Sequence, residues 1–580
     1  MELNYTISQK NPASHYINVK LEIQNVKEKK LELLLPRWRP GRYELGNFAK
    51  NIQNFSAYDS KGKKLLVVKN NTHNWEIFND NKSSKIIIEY NYYANEYNAG
   101  ACFANEEILY FNPVHLLMNV ANIHQQENFK IKYNLNLDIP KHYKIISSLK
   151  FKQNIFSTYD YDELLDSPIV ATHHYKTFSF KIDEIKFYVH TIDLHDHYID
   201  KEKTKKDFIQ FTKQILQFWG TAPFKEYHFI IHLLPYSFYH GVEHLKNTVI
   251  VLGPHHQIMN KLYDELLGVS SHELFHAWNI KTIRPKQMYP YHYYTENYSE
   301  LGFVYEGFTT YYGDKLLWQS NVFSTEQFFK CINERLNKHY INYGKFSQSL
   351  LNASIDNWVD GYNNYAPHKK VSIYDEGCIL AMMMDMYLIW KTNKRKSLRD
   401  LCLKLYDNQI NNQQPYILEN VIDGFIEFTK DKTDLAFFDG TILFPNDYIP
   451  MFEKIAQDFG LYIDYQESEH WWEKFFGFKI SENNGKYYIS HILPISPAYS
   501  KLSLDDEILA INQIPTKDII NDKNIRFQKN ISLTINRFHK IITIDLSSEK
   551  NKTFYQKLYL KLKDNLNKQQ LDLFNHLKKM

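Results

Sequence analysis

Three observations in this 580-residue chain predict a multidomain protein in which an all-β domain comes first and an α+β region that turns helical follows. The length corresponds to about three or four domains, each long enough to bury its own core. Near the N-terminus Ile17, Val19, Leu21 and Ile23 alternate with Asn18, Lys20 and Glu22, the period of a half-buried strand. From Leu262 to about Tyr406 the apolar residues instead recur at helical spacing.

Residues 1 to about 165 read as strands throughout, with Ile86-Ile87-Ile88 set between the turn-rich segments Asn70-Asn71 and Asn91 to Gly100. A further strand is expected near Lys186 to Ile192, and Phe208, Phe211, Ile215 and Phe218 then mark an amphipathic helix. Two strand-like runs, Phe229 to Leu234 and Thr248 to Leu252, precede the helical part. Loop signals interrupt that part between Asn352 and Ser372. The apolar run Gly377 to Trp390 is too short to span a bilayer and contains Asp385, so Met382, Met383, Met384 and Met386 read as buried helix packing. The Lys-rich tail from Lys550 reads as a solvated helix.

Basic and acidic residues nearly balance, 69 against 66, which argues against nucleic acid or an anionic membrane as the main partner. Cys102, Cys331, Cys378 and Cys402 are far apart and form no CxxC pair, so neither a disulfide framework nor a cysteine-zinc site is expected. The opening Met-Glu-Leu-Asn-Tyr shows no basic segment followed by an apolar one, and a cytoplasmic location is expected, with export left open.

The most informative segment is His272-Glu273-Leu274-Phe275-His276. At about 3.6 residues per turn the two histidines stack on one helical face and can both offer a ring nitrogen to a metal. Glu273 lies one step round, where its carboxylate reaches a metal-held water without replacing it; this is the zinc metallopeptidase layout. Leu262, Leu266, Leu267, Val269, Leu274 and Phe275 supply the apolar stripe of the helix, which ends before Arg284-Pro285. A catalytic zinc keeps three protein ligands, so a third must come from elsewhere. Glu306, at the start of a second helical stretch, is the best candidate, and Glu296 and Glu300 are rivals that spacing alone does not exclude.

Other histidines carry less. His240-Gly241-Val242-Glu243-His244 spells an inverted zinc motif, but it sits between strand-like runs and Gly241 weakens a helix there. His195-Asp196-His197 reads as a solvated loop, and the adjacent pairs His173-His174 and His255-His256 should point apart and form no chelate.

The runs His272 to Pro285 and Glu306-Gly307-Phe308-Thr309-Thr310-Tyr311-Tyr312 resemble the glycyl aminopeptidase family of gluzincin zinc metallopeptidases. Leu35-Pro36-Arg37-Trp38-Arg39-Pro40-Gly41-Arg42-Tyr43 resembles that family's N-terminal signature, and Gly477 to Gln513 its PDZ domain, so the likeness runs almost end to end. It implies an N-terminal β domain (1–165), a thermolysin-like α+β catalytic domain (166–468), a PDZ-like domain (469–548) and a helical tail (549–580). It implies one Zn2+ per chain on His272, His276 and Glu306, with Glu273 as general base. It also implies that Tyr374 stabilises the oxyanion, while the Gly241–His244 element lies on a strand edge where Glu243 pairs with a substrate's free amino group. Glu376 stands where the family pattern has lysine, so local charge and substrate preference should differ. Phe476-Gly477-Phe478 resembles part of the PDZ carboxylate loop, with Phe475 in place of its first glycine.

The expected function is a zinc aminopeptidase that removes N-terminal glycine or alanine from peptides by a metal-activated water. The alternatives are a zinc endopeptidase whose PDZ domain recruits proteins, and a non-enzymatic PDZ-containing binding protein with a retired metal site. The expected partners are peptide substrates and a peptide ligand of the PDZ-like domain, with no nucleic acid and no membrane span.

Overall fold

A computed structural model describes residues 1–121, 130–195, 199–361, 366–521, 529–549 and 552–579. The alternation near the N-terminus becomes strand Tyr16–Gln24, whose even and odd positions alternate between buried and half-buried. It pairs antiparallel with Glu2–Ser8 and Lys85–Tyr93 inside a seven-stranded sheet. Two four-stranded sheets complete the β domain. One of them includes Ile169–Thr172, so β-domain pairing continues a few residues past 165.

A five-stranded sheet comes next, in the spatial order Tyr175–Ile182, Ile185–Ile192, Glu226–Leu233, Asn247–Gly253, Phe238–Glu243. Its three middle strands are parallel, and Phe238–Glu243 runs antiparallel along the edge. The helix Lys201–Trp219 buries Phe208, Phe211, Ile215 and Phe218, the face that its spacing predicted. The helices Tyr263–His276, Thr309–Gln319, Thr325–Ile341 and Asp375–Lys391 build the helical half. Met382, Met383, Met384 and Met386 have no exposed surface.

Three expectations need correction. The β and catalytic domains do not have separate cores, because their buried residues mix in one large cluster and in a smaller second one, while the PDZ domain keeps its own. Trp38 lies at the join, its indole N–H donating to the His292 carbonyl at 2.8 Å and its ring edge-on to Tyr291. The segment opening at Asn352 is helical up to Asp360, because Ser349 caps the helix Leu350–Asp360 through the Asn352 amide. The C-terminal tail is not a solvated helix: Gln556–Leu562 forms a strand paired with Leu461–Glu467. The final helix Lys568–Lys579 then buries Leu573, Phe574 and Leu577. The helix bearing the two histidines does end before Arg284-Pro285, at His276, for a reason that belongs to the site.

The PDZ sheet has Phe478–Asn483 at one edge, after the short helix Trp471–Phe476. Gly477 ends that helix at φ +72°, and its amide donates back to the Trp472 and Glu473 carbonyls. A Cβ there would stand 2.2 Å from that of Ser496, so glycine is required by the close approach. The expected carboxylate loop is thus a helix cap whose glycine amide is already used.

Candidate active site

Helix Tyr263–His276 presents His272 and His276 on one face, with Nε2 atoms 3.0 Å apart. Glu306 comes from a π-helical turn, Phe303–Phe308, which leads into helix Thr309–Gln319. One extra residue per turn is a common way to redirect a side chain at a functional site. Its Oε2 lies 3.3 Å from His276 Nε2 and 3.8 Å from His272 Nε2. Ligands held about 2.0–2.1 Å from a tetrahedral zinc lie about 3.3 Å from one another, so these three donors fit such an ion. Glu296 and Glu300 line no part of this cavity, and Glu300 accepts from Gln287 instead.

The early helix stop orients His276. His276 Nδ1 donates to the Asn279 carbonyl at 2.9 Å, which turns Nε2 toward His272 and Glu306. Asn279 is itself fixed, its amide donating to the Val304 carbonyl at 2.9 Å and to Thr309 Oγ1 at 3.0 Å. A straight helix running to Pro285 would not offer that carbonyl. Two glycines bring the helices close enough: a Cβ on Gly313 would lie 3.1 Å from the His272 Cα, and one on Gly307 would lie 2.4 Å from the Gly377 Cα. The Gly307–Gly377 approach sets the start of helix Asp375–Lys391, and with it Tyr374, beside the Glu306 turn.

The remaining support for Glu306 comes from the β domain. Tyr43, fully buried, donates its hydroxyl to Glu306 Oε1 at 2.7 Å, so one carboxylate oxygen is occupied and the other faces the histidines. Its ring packs on Tyr305 and Trp358. Outer hydrogen bonds of this kind are worth about 10–100-fold in metal affinity. The Tyr43→Phe protein should therefore keep its fold and bind zinc about 10–100-fold more weakly, measured by competition with a chelator. Unchanged affinity would reduce the contact to packing.

Glu243 and Glu273 line the same cavity of about 640 Å³, as do Tyr374, His240 and the three clustered side chains. Glu243 ends edge strand Phe238–Glu243 and is 4% exposed. Among the described residues, Glu243 Oε1 and Glu273 Oε2 are buried without a hydrogen-bond partner. Buried carboxylate oxygens are costly to leave unpaired, and the cavity is where a ligand would satisfy them. The fit around them is tight: a Cβ on Gly241 would lie 2.4 Å from a Glu273 oxygen, and one on Gly41, at φ +80°, would lie 2.2 Å from a Glu243 oxygen. The Gly41 backbone of the N-terminal signature thus roofs Glu243, while Gly241 lets Glu273 pass beneath its strand.

The electrostatics call for a cation. Burial opposes charge on His276, yet the Glu306 carboxylate overrides it and pushes the imidazole up to about 10. Desolvation and the neighbouring His276 hold the half-buried His272 well below the ordinary histidine range. Burial raises the Glu273 carboxyl well above its usual range, with Glu243 and Glu306 adding to the effect.

His244 turns away from the cavity to Asp166 Oδ1 at 2.9 Å, an oxygen that also takes the Lys281 ammonium at 2.7 Å, so His240 and His244 share no ligand position. Glu376 also points elsewhere: its carboxylate meets the fully buried His339 Nδ1 at 2.6 Å, and His339 Nε2 meets Asp447 at 3.1 Å. The departure from lysine at this position is answered by its own partners and adds no charge to the cavity lining. His255 and His256 rings stand 6.1 Å apart at 73°, as expected of a pair that does not chelate. Of the His195 segment, Asp196 and His197 lie outside the described residues. His173 and His174 do converge, contrary to expectation, because a bend rather than a regular strand carries them.

A helical pair of imidazoles sharing a carboxylate, with a second carboxylate held unpaired beside them, defines a metallopeptidase. Three family models make this specific, matching the Peptidase M61 N-terminal domain at residues 4–173, the M61 glycyl aminopeptidase at 265–380 and a PDZ domain at 470–536. Residues 4–173 and 265–380 thus carry the N-terminal and glycyl aminopeptidase domains of the M61 peptidases. Its fold is that of an aminopeptidase N family protein from Idiomarina loihiensis, at 22% identity and TM-score 0.88 over 99% of both chains. A more distant likeness is an M1 zinc metallopeptidase mutant from Deinococcus radiodurans bound to a Tyr-Ser-Ala substrate (9% identity, TM-score 0.45, 76% of this chain and 92% of that one). Another is yeast LTA4 hydrolase (12%, 0.45, 77% and 68%). No curated protein sequence matches the chain. No described helix is long and apolar enough to cross a membrane.

Proposed function

We propose that the protein is a zinc aminopeptidase that releases small N-terminal residues, glycine or alanine, from peptides. The observation that carries the aminopeptidase reading is Glu243, a buried carboxylate with an unpartnered oxygen in the same cavity as His272, His276 and Glu306. A substrate's terminal ammonium would satisfy that oxygen through a charge-assisted hydrogen bond. The small-residue preference rests on the matched M61 glycyl aminopeptidase model.

His272, His276 and Glu306 would hold one catalytic zinc, which when bound supplies Lewis-acid polarisation of the scissile carbonyl and acidification of water. Glu273 takes the proton of the attacking water and returns it to the leaving amine, a role supported by its unpartnered oxygen beside the imidazoles. Tyr374 donates a hydrogen bond to the oxyanion as it forms, an interaction made in the transition state and not in the ground state. Glu243 anchors the amino terminus and so fixes which peptide bond meets these groups.

The test compares free and N-acetylated peptides of the same sequence. The wild type should cleave glycyl and alanyl peptides and leave acetylated ones nearly untouched. Glu243→Gln should lose about 10–100-fold or more of the rate on free termini, the scale of about 1.5–3 kcal/mol for a hydrogen bond to a charged group. Equal cleavage of both peptide forms, unaffected by the substitution, would make the protein an endopeptidase.

A further inference from the structure

We infer a second, peripheral site for a divalent transition-metal ion, formed by Glu107, His173 and His174 on the link between the β domain and the catalytic domain. Glu107 Oε2 lies 3.5 Å from His173 Nε2 and 2.5 Å from His174 Nε2, and the three donor atoms fall within 4.8 Å of one another. Among the described residues, only this group and the catalytic one converge in this way. Neighbouring residues of a regular strand face opposite ways. Here strand Ile169–Thr172 has ended and strand Tyr175–Ile182 has not begun, and the bend between them brings both rings to one side, with centroids 3.9 Å apart.

The main chain fixes the two donor-bearing segments relative to each other. Thr172 Oγ1 donates to the Glu107 carbonyl at 2.8 Å and accepts from the His174 amide at 3.1 Å, so one hydroxyl ties them together. Strand Ile169–Thr172 also pairs with Ile108–Phe111, the strand that Glu107 precedes. The convergence therefore does not depend on long side chains meeting by chance.

Two imidazoles and a carboxylate suit Zn2+, Ni2+ or Cu2+ rather than Ca2+ or Mg2+. The donors are partly exposed, with side chains 41%, 27% and 46% accessible for His173, His174 and Glu107, so the site fills from solvent and binds more weakly than the buried catalytic set. Its position gives it a consequence. Ile169–Thr172 belongs to a β-domain sheet and Tyr175–Ile182 is the first strand of the catalytic sheet, so an ion here clamps the crossing between the two.

The test is equilibrium dialysis of the full chain against buffered micromolar free Zn2+, followed by elemental analysis. The wild type should carry two equivalents. The His173→Ala/His174→Ala double variant, and independently Glu107→Gln, should carry one and keep full peptidase activity. His276→Ala should also carry one, and combining it with the double variant should leave none. A wild type that holds one equivalent with full activity would overturn the proposal and leave a hydrogen-bonded surface pair only. So would a double variant that still holds two. Because His276→Ala reports the catalytic site separately, failure of one assignment is distinguishable from failure of the other.

Discussion

The Glu273→Gln protein should retain its zinc and its fold while peptide turnover falls by about 100-fold or more, the scale of a lost general base. The reasoning is local. Glu273 is next to a metal ligand on the helix and is buried beneath Gly241, with one oxygen unpaired in the cavity. Glutamine has nearly the same shape, so packing under the strand is kept, but it cannot take a proton. Zinc content, circular dichroism and turnover on a glycyl peptide measure the three parts separately. Near wild-type turnover with zinc in place would assign the proton to another group.

His276→Ala should remove the catalytic metal outright and turnover with it. His276 is the central member of the cluster: its Nε2 is within 3.0 Å of the other imidazole and 3.3 Å of the carboxylate, and its Nδ1 is locked to the Asn279 carbonyl. Two remaining donors do not make a catalytic zinc site, which uses three. The loss also leaves the buried Glu306 without its cation or its imidazole partner, so the variant should melt at a lower temperature than the wild type. Zinc content falling by one equivalent per chain is the decisive reading, and full retention would remove His276 from the ligand set.

The parts of this site that could be read from sequence are those built by local spacing. His272, Glu273 and His276 announce themselves because a helix repeats on the scale of the motif itself. Gly241 and its strand-like flanks argue against a helix there, while the strand edge itself, Phe238–Glu243, is what the family resemblance implies. The supporting residues were not legible, because each acts through backbone shape or across long separations. Asn279 orients His276 through a main-chain carbonyl, so its residue type gives no hint of the role. Gly307, Gly313 and Gly377 matter only where helices cross. The charge change at Glu376 looked consequential, yet the side chain had found His339 and Asp447 outside the cavity. The pairing of His173 with His174 was missed because adjacency was judged on a regular strand and the residues lie on a bend. Strand Gln556–Leu562 was hidden by its lysines, which flank the buried Leu558 and Leu560.

The contact between Tyr43 and Glu306 joins positions 263 apart in the chain, and Gly41 against Glu243 likewise bridges the β domain and the catalytic domain. During synthesis the N-terminal part emerges first. Because its buried residues share a cluster with those of the catalytic helices, Glu306 acquires its Tyr43 brace only when both parts have come together. Peptide-cleaving capacity is therefore a property of the finished molecule. A product lacking the first domain would carry the two histidines without the Tyr43 hydrogen bond to Glu306 or the Gly41 roof over Glu243.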